Sequence, residues 1–142
     1  MRPQSIIWFE RLYLAAFVVG LISIFQTWDV QARMLANDPM AAGMPWLAWA
    51  TLFARAVIAI ALWYCVARLG SNIARWIVAA LAVWGVGLLA VLGYGFGSGS
   101  APMAVVAPAA LQNILYVAAA AMLFRADARP WFGGDRAVEP AA

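Results

Sequence analysis

Residues 76–124 carry no charged side chain. As one helix, those 49 residues would extend about 74 Å, over twice the roughly 30 Å hydrocarbon core of a bilayer. An aqueous domain would be expected to interrupt so long a stretch, since about a quarter of its residues are ordinarily charged. The run is therefore expected to enter a membrane and fold back once. Gly93, Gly95, Gly97, Ser98, Gly99, Ser100 and Pro102 mark the break, because glycine and proline at that density end helices. This predicts a third span near 74–94, a flexible glycine hairpin over 93–99 and a fourth span near 103–124. Pro108 leaves two forms of the fourth helix open: one kinked at the proline, or one that starts there.

The rest of the chain repeats the pattern. Of its 142 residues, 67% are hydrophobic and 11% charged, so composition and length together suit one transmembrane domain. A first span is expected over 6–28 and a second, opened by Pro45, over 45–67. A polar connection at 29–43 and a short turn at 69–73 join the spans. Trp8, Trp28, Trp46, Trp49, Trp63, Tyr64, Trp76, Tyr94 and Trp131 fall near the proposed ends, where amphipathic rings favour the headgroup region. Trp84 is the exception and is expected to pack in mid-span. Residues 1–127 thus form the membrane domain, and 128–142 a polar cytoplasmic tail. The first segment is read as an uncleaved span. Val30-Gln31-Ala32 loosely resembles a signal-peptidase site, but Glu10 and Arg11 interrupt the segment's start.

Arginine distribution sets the orientation, since cytoplasmic loops carry the excess positive charge. With the N-terminus inside, Arg2, Arg11, Arg68, Arg75, Arg125, Arg129 and Arg136 are cytoplasmic, and only Arg33 is outside. The expected fold is an all-α membrane protein: an antiparallel four-helix transmembrane bundle with both termini in the cytoplasm.

Several chemistries drop out. There is no histidine and one cysteine, Cys65. Imidazole catalysis, histidine-based metal or haem sites and an intrachain disulfide are excluded. Cys65 lies in an apolar run and reads as a buried, unreactive thiol. The glycine-rich hairpin is followed by no GK[ST] and is no phosphate loop. The arginines are too scattered to form a nucleic-acid surface. No catalytic residue, metal site or cofactor is expected, and the chain is read as a non-enzyme.

Polar residues at membrane depth remain. Arg55 comes nine residues after Trp46, about 14 Å along the second helix and near the bilayer middle. Gln112 and Asn113 fall at a similar depth on the fourth span; Thr51 shares the face of Arg55, and Tyr116 that of Gln112. Arg55, Gln112, Asn113 and Tyr116 form a candidate site for an anion or a lipid headgroup. The structural alternatives are an arginine held by the two amides, or one that reaches outward to Asp29 or Asp38. Glu10 lies only about 6 Å into its helix, with Arg75 or Arg125 as expected ion-pair partners. Ala16 and Gly20 have the small-xxx-small spacing that brings membrane helices close.

Three segments carry a resemblance: Arg2-Pro3-Gln4-Ser5-Ile6-Ile7, Phe9-Glu10-Arg11-Leu12-Tyr13 and Ser71-Asn72-Ile73-Ala74-Arg75-Trp76. They resemble small, uncharacterised four-span proteins of the bacterial inner membrane, over roughly the first two-thirds of the chain. The resemblance implies that topology, multi-pass inner-membrane location and bacterial origin, and no activity. The size is similar to that of small multidrug exporters, whose pattern around the membrane glutamate is absent here. The leading expectation is a non-catalytic protein acting through helix–helix association, with itself or as an accessory subunit of a membrane complex. The alternative is a small transporter or lipid- or anion-binding protein built around Arg55. Membrane lipids are expected partners under both readings.

Overall fold

A computed structural model describes residues 3–30, 33, 44, 46–99 and 103–133. Four α-helices follow one another: α1 (Gln4–Gln26), α2 (Trp46–Ala67), α3 (Asn72–Gly97) and α4 (Met103–Met122). A short 3-10 helix, Ala126–Phe132, comes last. The described residues contain no strand. All four α-helices include a stretch long and apolar enough to cross a membrane.

Local chemistry explains most of the boundaries. Ser71 caps α3, its hydroxyl accepting the Ala74 N–H at 3.3 Å. At the other end the expected hairpin is not where its glycines begin. α3 runs through Gly93 and Gly95 to Gly97, and only Gly99 takes a left-handed φ of +77°. Backbone groups among acyl chains must be satisfied within the helix, so the ladder persists through glycines that would break it in water. The 26 residues of α3 extend about 39 Å, so the helix tilts or projects beyond the hydrocarbon. α4 starts at Met103 and continues through Pro108, which selects a helix with proline inside it over a late start. Between α1 and α2, the rings of Trp28 and Trp49 meet at a tilt of 44°, with centroids 4.4 Å apart. Most of 29–43, Asp38 included, lies outside the described residues.

α4 is the central element: it packs most extensively on α1, then on α3, while α2 touches α1 and α3 lightly. The reason is side-chain size. α1 turns Ser5, Ile6, Phe9, Tyr13, Ala16 and Gly20 inward, a stripe at three- and four-residue spacing. Its small members let α4 approach, and a Cβ on Gly20 would collide with the Gln112 amide. On the other side of α4, a Cβ on Gly85 of α3 would collide with the Asn113 amide. Consecutive amides thus occupy the two helix seams, each above a glycine. α2 buries only Val66 and Ala67, at its C-terminal end. Its Phe53 is 72% exposed and Val83 of α3 likewise 72%, as suits side chains bathed by lipid tails.

The buried cluster gathers where α1 and α3 begin and α2 and α4 end, around Ile6, Phe9, Val66, Ala74 and Leu123. The 3-10 helix closes it. Ala128 is fully buried, Trp131 and Phe132 pack on the cluster, and the Trp131 indole donates to the Val66 carbonyl at 3.1 Å. Asp127 accepts the Ser5 backbone N–H at 3.1 Å. The packed body therefore extends past 127, and the expected polar tail begins later, because two aromatic rings within it have apolar surface to cover. Residues 134–142 lie outside the described part.

Candidate functional site

Because α2 is held mainly at one end, a groove of about 500 Å³ opens between α2, α3 and α4. Its long wall is a single stripe of α3: Val78, Leu81, Ala82, Gly85, Leu88, Leu89 and Leu92, with Trp84 at the rim. From Val78 to Leu92 that stripe covers about 21 Å.

Arg55 lines this groove with Ile58, Ala59 and Leu62 of α2. Gln112, Asn113 and Tyr116 line it from α4, and Tyr13 from α1. The four residues singled out as a polar cluster therefore share one concave space. The Tyr13 hydroxyl donates to the carbonyl of Ala59 at 3.1 Å, one turn beyond Arg55. Tyr13 and Tyr116 meet edge to face at 5.2 Å, and Phe9 packs on Tyr13 in a tilted contact at 5.3 Å. This aromatic column ties α2 to the α1–α4 pair. Sequence reasoning did not place Tyr13 at the site; its seven-residue spacing to Gly20, on the stripe of small α1 residues, was the available signal.

Electrostatically, the groove is an apolar trough with one formal charge. Among the described residues the Arg55 side chain makes no hydrogen bond and no ion pair. No described amide holds the guanidinium, and Asp29 does not pair with it. Asp38 lies outside the described residues. Thr51 spends its hydroxyl on the Ala48 carbonyl of its own helix at 2.9 Å. Trp84, expected to be packed in mid-span, is 69% exposed. α2 stands off α3 there, so nothing covers the ring. Cys65 is half-buried rather than buried.

Glu10 lies apart from the groove, at the end where the buried cluster gathers. It ion-pairs with Arg68 at 3.6 Å, not with Arg75 or Arg125. Arg125 pairs instead with Asp127 at 3.8 Å. Arg75 is held by aromatic faces: its guanidinium lies 4.9 Å from Phe124, 5.0 Å from Phe132 and 5.7 Å from Trp76. Its Nε is buried without a hydrogen-bond partner among the described residues. Arg68 over Trp63 and Arg11 over Trp8 repeat the arrangement. One of the rings around Arg75, Phe132, belongs to the segment expected to be a polar tail. No cluster of metal-ligating side chains occurs among the described residues. The arrangement can accept an elongated apolar molecule and offer it one cation. No known protein family, characterised protein or solved structure matches this chain.

Proposed function

We propose that the protein is a non-catalytic, multi-pass protein of the bacterial inner membrane that binds a membrane amphiphile in the α2–α3–α4 groove. The observation that carries this reading is an elongated apolar trough with an arginine that no described residue neutralises. A charged group in hydrocarbon costs several kcal/mol and generally faces a counter-ion or water. Concave apolar sites with a few convergent polar groups ordinarily take small ligands. In our reading the bundle is antiparallel with both termini cytoplasmic. The arginine asymmetry supports this, as does the pairing of Glu10 on α1 with Arg68 just after α2.

Association with a partner helix is the first expectation from sequence; the uncompensated Arg55 on a concave apolar lining favours a small amphiphile over it. Native mass spectrometry of protein extracted in a mild neutral detergent tests the reading. A co-purifying small amphiphile is expected on the wild type and reduced on Arg55→Leu, with helix content unchanged. A wild type that carries no such molecule and comes only with a stoichiometric membrane polypeptide would return association to first place.

A further inference from the structure

We infer that the groove selects an amphiphile with an anionic oxygen headgroup, a carboxylate or phosphate that serves as counter-ion to Arg55. This rests on the groove-binding reading and adds the ligand's charge. Two observations carry it. The first is the lining. The leucine stripe of α3 supplies a continuous apolar wall for an acyl chain.

The second observation is charge. Arg55 is the one formally charged residue on the groove's lining, and among the described residues no carboxylate pairs with it. A guanidinium offers a planar fork that matches two oxygens of a carboxylate or phosphate. Asn113 and Gln112 also line this space. A neutral headgroup would leave the arginine uncompensated, and a cationic one would be repelled.

Trp84, on the groove's rim, provides the readout. The full-length protein in a neutral detergent is titrated with four brominated single-chain probes: dibromostearate, dibromostearyl alcohol, dibromostearylamine and a brominated lysophosphatidic acid. Bromine quenches indole fluorescence on contact, and the signal assigned to Trp84 is the part lost in Trp84→Phe. The anionic probes should bind at least tenfold more tightly than the alcohol, and the amine more weakly still. Arg55→Gln should bring acid and alcohol to parity without changing the alcohol's affinity. Arg55→Lys, which keeps the charge, should retain part of the preference. Preference for dibromostearate over the lysophosphatidic acid assigns a fatty carboxylate as the ligand; the reverse assigns a lysophospholipid, and both support the inference. Equal quenching of the wild type by acid and alcohol would overturn the charge assignment while leaving groove binding intact. If no probe quenches Trp84, the groove-binding reading itself fails.

Discussion

Gly20 of α1 lies beneath the Gln112 amide of α4, so a methyl group added at Gly20 would take the amide's place. Two opposing terms decide the effect of Gly20→Ala. Alanine favours a helix interior over glycine by about 1 kcal/mol. Overpacking a closed seam costs about 1–3 kcal/mol, and the colliding atoms belong to the end of a flexible side chain, so the lower half of that range applies. The net change in the wild type is a destabilisation of about 0–1 kcal/mol. In a Gln112→Ala background the obstacle is gone and only the helix preference remains. There Gly20→Ala should stabilise by up to about 1 kcal/mol. The coupling between the sites is then about 1–2 kcal/mol, well above the scatter of independent pairs. Equilibrium unfolding of all four proteins in mixed micelles of mild detergent and SDS measures the cycle. The reasoning would be falsified if Gly20→Ala had the same sign and size in both backgrounds.

Other seams give further expectations. Gly85→Ala should destabilise more than Gly20→Ala in the same assay, because the Asn113 side chain it displaces has one fewer rotatable bond. Tyr13→Phe removes the bond to the Ala59 carbonyl and should cost about 0.5–1.5 kcal/mol, with faster hydrogen exchange along α2 and unchanged exchange along the α1–α4 seam. Trp131→Phe should cost a similar amount by losing the bond to Val66, and should hasten proteolysis after Phe124. Asp127 accepts the Ser5 N–H, which holds its carboxyl below the ordinary range, with Arg125 adding a smaller pull. A lowered folded-state pKa means that this tether contributes in full above about pH 4, the unfolded value, and is lost as pH falls through the folded one. Exchange of the Ser5 amide should accelerate over that acid window, and Asp127→Asn should abolish the acceleration.

The four spans were legible because hydrophobic length is a property of the chain itself. Depth was legible too, since residues per turn translate directly into ångströms, and Arg55, Gln112, Asn113 and Tyr116 do line one space. What sequence could not supply was which faces meet. Gln112 and Asn113 are adjacent in sequence, yet they enter different seams, each admitted by a glycine on another helix. Nor did composition show that Trp131 and Phe132 would fold back under the bundle, since a tail rich in arginine and proline has no apolar period to read. The glycines of α3 were misread as a hairpin because their cost was reckoned for water, where a broken ladder can be rehydrated; among acyl chains it cannot.

The dominance of the α1–α4 seam has a consequence for biogenesis. Of the four spans, the earliest to leave the ribosome has its chief mate in the latest. Roughly 100 residues separate Phe9 from Ala119, a delay of about 5–20 s at ordinary elongation rates. Throughout that interval the small-residue face of α1 is exposed in the bilayer with α2 and α3 as its only neighbours from the same chain, and neither covers it well. The α1–α4 seam therefore closes only once α4 has emerged, and truncation before α4 would leave three spans with that face uncovered, a substrate for the cell's quality-control proteases.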